Sequence, residues 1–386
     1  MNITLDSSVK AVDFNGTDIS EVKFNGTSVW KKPAAGQIFG ASWDGSSSTV
    51  LTRTDASAGF ANPDPYVADG NHPGASPFDN IMPWSGMAVE TIDDNVLVKI
   101  PKFWYKITTG TGNAISFQIA NYPADGFNVS PAHQDRGDGV GERDFIYVGR
   151  YHSISERHRS KRGSQPVTNN TRSTSRYLIK INLGTGFYLW DYAALVTIWL
   201  LYIVEFANWD SQTCIGYGCG NNNAKQTTGA SDLMPYHTGT MQTSRTAYGV
   251  GCQYRGIEDL WGNVYDWVDG IRFSVLDIYL YKNPSEFDDS SGGVNTGTRP
   301  NSSGTIISWK QPSATGYDWA IYPGAVDGTA STHVSDNCYY NSSGRVLYAG
   351  GYYSRSKSYG LFCMSGYGTD SDSFNWVGAR IMYLPS

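Results

Sequence analysis

The stretch "LWGNVYDWVDG", residues 260–270, carries the most specific pattern in the chain. Trp261, Val264 and Trp267 offer large apolar surfaces, and Gly262-Asn263 between them suits the positive φ of a tight turn. Taken alone, the stretch reads as structural core, a turn feeding a strand.

Working outward, the composition limits the alternatives. The chain has 386 residues, 40% apolar and 17% charged, with 43 Gly, 26 Tyr and 12 Trp. That length supports a sizeable core, and the balance is globular, β-rich and loop-rich. A net charge of −6 argues against general nucleic-acid binding, which needs a basic face. The opening "MNITLDSSVKAV" has neither the basic n-region nor the apolar h-region of a signal peptide. The five scattered cysteines (Cys214, Cys219, Cys252, Cys338, Cys363) are therefore expected as free thiols. The apolar run Ala193–Val204, flanked by Asp191 and Glu205, is too short for a membrane span and is expected as a buried amphipathic helix.

Along the chain, "VDFNGT" (12–17) and "VKFNGT" (22–27) repeat at a spacing of ten residues. Apolar alternation around Asn-Gly predicts tight hairpins, here a short three-stranded meander ending at Trp30. Residues 1–34 are expected as this N-terminal β-hairpin module, 35–88 as a turn-rich connecting segment, and 89–386 as the main domain. "VLVKIPKFWYKI" (96–107) and "DFIYVGRYH" (144–152) read as strands. The basic run 155–176 reads first as a solvated loop and second as an anion- or partner-binding arm.

Catalytic and metal patterns find little support. None of the six His pairs with Ser or Cys in a nucleophile motif, and no Gly-rich phosphate loop follows a strand. The spacing in "CIGYGC" (214–219) is wrong for a zinc knuckle, and "GTDSDS" (368–373) lacks the EF-hand pattern. No metal and no cofactor are expected.

Residues 337–375 are different in kind. They are crowded with Tyr, Ser, Gly, Asn and Asp, and eight of the 26 Tyr lie after residue 335. Tyr is rigid and amphipathic, while Ser, Gly, Asn and Asp adapt their hydrogen bonds, the mixture found in antibody binding loops. Such an exposed patch is larger than a monomer shows without a purpose. The segment divides into an inward frame (Gly344, Arg345, Gly350, Gly351, Gly360, Leu361, Met364, Gly366 and the strand Trp376–Leu384) and an outward set. The outward set is Tyr339, Tyr340, Tyr348, Tyr352, Tyr353, Arg355, Tyr359, Tyr367, Asp370, Asp372 and Asn375. Some of these rings merely cover loops, Tyr348 and Tyr367 first.

"GNVYDWV" (262–268) resembles the "GNVWEWV" signature of the formylglycine-generating-enzyme-like branch of the C-type lectin fold. "RVLYAGGYYSRS" (345–356) is similar to the "RV-x-RGGSW" stretch of that branch, and "VGARIMYL" (377–384) to its closing "GFRLA" strand. "SWDGSSSTVLTRTDASAGF" (42–60), "FDNIMPW" (78–84), "VLVKIPKFWYKI" and "FNVSPAHQDRGDGVGERDFIYVGRYH" (127–152) resemble segments of phage tail proteins of this fold. The resemblance spans nearly the whole chain and is weakest at 155–176 and 275–330. It implies an α+β, β-rich, C-type-lectin-like fold with large loops and insertions. Trp261, Gly262, Asn263, Trp267, Arg345, Gly350, Gly351, Gly378 and Arg380 would be its scaffold.

Within the branch, the C-terminal segment resembles the variable region of diversity-generating retroelement target proteins, of which the phage major tropism determinant is the best known. Template adenines are replaced at random there, so Asn codons become Tyr, Ser, Asp, Cys and others; Cys338 and Cys363 fit that route. The resemblance implies a receptor-binding protein of a phage tail or virion, made in the host cytoplasm. Its partners would be a host cell-surface protein or glycan and other virion proteins. A homotrimer follows by analogy, and neither nucleic-acid binding nor membrane insertion does. The first alternative is a fixed-sequence phage tail lectin or structural protein. A remoter one is an oxidase of the formylglycine-generating type, which uses a close cysteine pair and copper. Cys338 and Cys363 are far apart in sequence and outside that motif, so no enzyme is expected.

Overall fold

The turn at Gly262-Asn263 forms with both residues at positive φ (81° and 59°). A Cβ on Gly262 would lie 2.9 Å from the Cys219 backbone, so glycine is required for close approach as well as for φ. The turn opens the long strand Tyr265–Ser274, whose burial is nearly complete. This computed structural model describes residues 36–386. Before them it describes the backbone of Asp13–Phe14, Thr17–Asp18, Glu21–Phe24 and Thr27–Lys31.

Two units separate at Gln37/Ile38. In the first, Asp13–Phe14 pairs antiparallel with Thr17–Asp18, and Glu21–Phe24 with Thr27–Lys31. Among the described residues this is two separate two-stranded hairpins, in place of the expected three-stranded meander. The Asn15-Gly16 and Asn25-Gly26 turns lie outside the described residues.

The second unit is β-rich, in a chain that is 11% helix and 32% strand. Residues 38–88, expected as a connecting segment, belong to it. Ile38–Trp43 and Thr52–Asp55 complete a five-stranded sheet with Ile115–Ala120, Trp104–Thr109 and Asn128–Val129. Tyr66–Val67 runs parallel to Gly239–Thr240 in a four-stranded sheet. The run 96–107 is two strands, Asn95–Pro101 and Trp104–Thr109, in different sheets. Pro101, with no N–H to donate, stands at the break.

Helix α1 (Arg172–Leu183) begins inside the basic run that reads as loop. The Thr171 side chain caps it, accepting from the Thr174 N–H at 3.0 Å. Arg159, Lys161 and Arg162 before it are paired locally, Lys161 lying 2.7 Å from Asp94 and 3.3 Å from Glu156. Helix α2 (Tyr192–Phe206) is the apolar run, capped by Asp191 through the Ala194 N–H at 2.9 Å. It is not amphipathic, because every one of its residues is buried. It packs against Ile38–Trp43, Ile115–Ala120 and Tyr265–Ser274, with sheet on more than one side. Among the described residues no helix is long and apolar enough to cross a membrane.

The closing segment is also divided. Val377–Gly378 lies parallel to Tyr265–Asp266 in the largest sheet. Ile381–Tyr383 sits between Phe145–Gly149 and Phe187–Leu189 in another. Arg380 joins them at 0% exposure. Its Nε donates to Asp266 Oδ2 at 2.8 Å, and its other nitrogens donate to the carbonyls of Gly149, Glu258 and Asp259. A buried guanidinium is tolerated because its donors are so fully matched.

Candidate ligand-binding face

Residues 337–375 supply three neighbouring strands of the largest sheet: Asn337–Tyr340, Met364–Gly366 and Val346–Ala349, the last pairing with Tyr265–Ser274. The register places Tyr339 opposite Ser365, Ser365 opposite Tyr348, and Tyr348 opposite Trp267. Successive strand side chains alternate between faces, so this row shares one face while Cys338, Met364 and Ala349 share the other. Cys338 and Cys363 are therefore not exposed loop residues; both are buried. Burial pushes the Cys338 thiol up to about 12 and the Cys363 thiol well above its usual range. All five cysteines are free.

Gly344 permits the tightest approach in the frame: a Cβ there would fall 1.8 Å from the Gly366 carbonyl oxygen. Gly350, Gly351, Gly378, Trp261 and Trp267 are buried, and Trp261 and Trp267 donate their indole N–H to Gly216 and Asn170 carbonyls at 3.0 Å each. The Asn263 side chain receives the Gln226 N–H at 2.9 Å and donates to Asp259 at 2.9 Å. Arg345 serves through its main chain, with its N–H on the Gly368 carbonyl at 2.8 Å, while its side chain is half-buried.

The loop 350–363 is held by its own main chain. The Tyr353 N–H donates to the Asn263 carbonyl at 2.9 Å, and the Asn221 and Asn222 N–H groups donate to the Arg355 and Tyr353 carbonyls at 2.6 Å each. The Gly360 and Phe362 N–H groups donate to the buried Asp336 carboxylate at 2.8 and 2.9 Å, and the Leu361 N–H to Ser211 Oγ at 2.9 Å. Burial raises the Asp336 carboxyl to about 7, against the pull of those two N–H groups.

On this frame the outward residues enclose a recess of ≈ 240 Å³. Tyr339, Tyr348, Ser365 and Tyr265 line its floor and near wall; Arg355, Tyr367 and Trp376 complete it. Tyr352 stacks on Trp376 with ring centroids 5.1 Å apart, and Tyr353 meets Tyr352 edge-on at 5.3 Å. The Tyr339 and Tyr359 rings stack at 6.0 Å and their hydroxyls hydrogen-bond to each other.

Seven of the eleven outward residues thus gather at one place: Tyr339, Tyr348, Tyr352, Tyr353, Arg355, Tyr359 and Tyr367. One needs correction as an outward residue. Tyr348, named first among the rings that merely cover, is 3% exposed, wedged among Tyr265, Trp267 and Trp376, and contributes floor in place of surface. Tyr367, named beside it, is 52% exposed and stays with the outward set. The other four lie apart. Tyr340 falls on the Cys338 side of its strand, under the Arg299 guanidinium at 4.9 Å. Asp370 lines a separate polar groove with Ser173, Arg176 and Asp289. Asp372 closes its own turn on the Thr369 N–H at 2.7 Å, and Asn375 is simply exposed. Three recess residues were outside the outward set: Tyr265, Ser365 and Trp376. Period-two alternation across "MSG" and "VYDWV" is the signal that singles out Ser365 and pairs Tyr265 with Trp267.

No protein-family model matches the chain, and no curated protein matches it. Among solved structures, the chain is similar to Treponema denticola variable protein 1 at 13% identity and a TM-score of 0.29, over 78% of this chain and 99% of that one. A superposition so loose leaves fold family and function to rest on this chain's own residues.

Proposed function

We propose that the protein is a ligand-binding display protein whose C-terminal face, residues 337–375, is diversified by a retroelement. One observation carries the reading. The segment's tertiary hydrogen bonds are made mostly by its main chain, and the side chains that receive them (Asp336, Ser211, Gln212, Ser303) lie outside the segment; Asn337, which accepts from Thr305, Cys363, which meets the Tyr265 hydroxyl, and Lys357, which pairs with Asp210, are the side chains that also reach out. Tyr353, Arg355, Tyr367 and Asn375 can change without removing any of those bonds. The fold-level part of the proposal, a C-type-lectin-like body, is supported by the resemblance of "GNVYDWV", "RVLYAGGYYSRS" and "VGARIMYL" to that fold and by their convergence around the long strand. A place on a phage tail or virion, with a host surface molecule as partner and a possible trimer, is supported by the same resemblance. Many copies on one particle would raise avidity without new contacts.

Binding is favoured over oxidase chemistry by the tyrosine-rich recess, whose lining contains no cysteine. The test is to sequence the 3′ end of the gene across a population. The proposal expects substitutions traceable to adenines at the outward positions, with Gly344, Gly350, Gly360, Leu361 and Gly366 unchanged. A uniform segment, with variation spread elsewhere, favours a fixed-sequence binder.

A further inference from the structure

The recess has an electrostatic character that narrows what can fill it. Arg355 is its only charged lining residue. No carboxylate reaches the guanidinium within ion-pair distance among the described residues; partial burial opposes its charge, and the groups set around it are the phenols Tyr359, Tyr352, Tyr265 and Tyr339. Its planar group lies over the Tyr352 and Tyr359 rings at 5.1 and 5.0 Å, which fixes its orientation, and its side-chain N–H donors meet no acceptor among the described residues. Neighbouring ring faces are also engaged internally. Trp376 is stacked on by Tyr352 and by Phe374 (4.3 Å), and Tyr339 by Tyr359. What these rings leave for an incoming group is edges and the one hydroxyl proton not used between Tyr339 and Tyr359, and the edge of an aromatic ring carries partial positive charge. Ser365 adds one more hydroxyl to the lining.

An unpaired guanidinium, positive ring edges and hydroxyl donors all favour an anion, in a chain whose net charge is −6. A volume of ≈ 240 Å³ admits one side chain rather than a saccharide chain, and the Trp376 and Tyr339 faces are already stacked upon, which leaves the half-exposed Tyr367 as the ring a sugar could still use. We propose that this recess receives the carboxylate of an Asp or Glu side chain from a protein partner, held in fork geometry by Arg355. The inference rests on the binding reading above and names the chemistry of its occupant.

The test titrates the full chain, by ligand-detected NMR, with three probes: N-acetyl-glutamate N-methylamide, its glutamine counterpart, and N-acetylneuraminic acid. The glutamate probe is expected to bind saturably and at least about tenfold more tightly than the glutamine probe. Arg355→Gln should abolish the difference and Arg355→Lys should restore part of it; the exposed position makes both variants fold-neutral, checked by circular dichroism. Equal binding of the glutamate and glutamine probes, or a preference that survives Arg355→Gln, overturns the charge assignment and leaves the display reading standing. Tighter binding of N-acetylneuraminic acid overturns the choice of a protein partner. No saturable glutamate binding overturns the inference, while population sequencing judges the display reading separately.

Discussion

Helix α2 and the loop 350–363 are both rich in large side chains, yet they are built on opposite plans. In α2 the main chain satisfies itself through the helix, and the side chains make the tertiary contacts: Trp199 donates its indole N–H to the Leu361 carbonyl at 2.9 Å and packs on Trp309 and Phe362. In the loop the main chain makes most of the tertiary hydrogen bonds, through Asn263, Asn221, Asn222, Asp336 and Ser211; Ser354, Arg355 and Ser356 face solvent, and the end of the loop, Leu361–Cys363, turns its side chains into the core. Aromatic content alone does not distinguish core from binding surface. What distinguishes them is which part of the residue holds the fold.

The comparison can be broken at several points. The largest effect is expected for Trp199→Ala, which removes a buried indole and leaves the Leu361 carbonyl without its donor. A loss of about 4–5 kcal/mol in denaturant unfolding is expected, and a loss under about 1 kcal/mol would show that α2 is not the keystone. Next is the pH response of Asp336. Its folded value of about 7 lies above the usual carboxylate value of 3.8, so its contribution is fully present below pH 4 and is lost as pH rises through 7. The stability of the wild type relative to Asp336→Asn should therefore fall between pH 4 and 8, by roughly 4 kcal/mol at most for a three-unit displacement. A flat difference would mean that the Gly360 and Phe362 N–H groups fully offset the burial.

Tyr348→Ala sharpens the comparison inside the variable segment itself. It should cost about 3 kcal/mol, because that ring is core. Tyr353→Ala sits at the other end. Its ring touches Tyr352 edge-on, so unfolding should shift by less than about 1 kcal/mol while ligand binding is lost. A similar loss of stability in both variants would erase the distinction between floor and rim.

Much of the frame was legible in the sequence. Gly262-Asn263 announced its turn through two residues that accept positive φ, and the spacing of the two "FNGT" repeats announced antiparallel pairing on either side of each. The buried indoles of Trp261 and Trp267 followed from size and apolarity. Other features depended on contacts between distant residues. Burial of α2 on all sides needs the sheets that surround it, which periodicity inside residues 192–206 does not reveal. The division of 377–384 between two sheets depends on Arg380 finding Asp266, Gly149 and Glu258, all remote in sequence. At the site, composition located the segment, but strand register decided its faces. Tyr339 and Tyr340 are adjacent and chemically identical, and one lines the recess while the other turns to Arg299.

The central claim is that the outward side chains are dispensable to the fold because the main chain holds the loop. The direct measurement is the unfolding free energy of one variant carrying Ser at positions 353, 355, 367, 370 and 375 together. Retention of a single cooperative transition, within about 2 kcal/mol of the wild type, is the predicted result. A loss beyond about 4 kcal/mol, or loss of cooperativity, would mean that these side chains hold the frame and would contradict the claim.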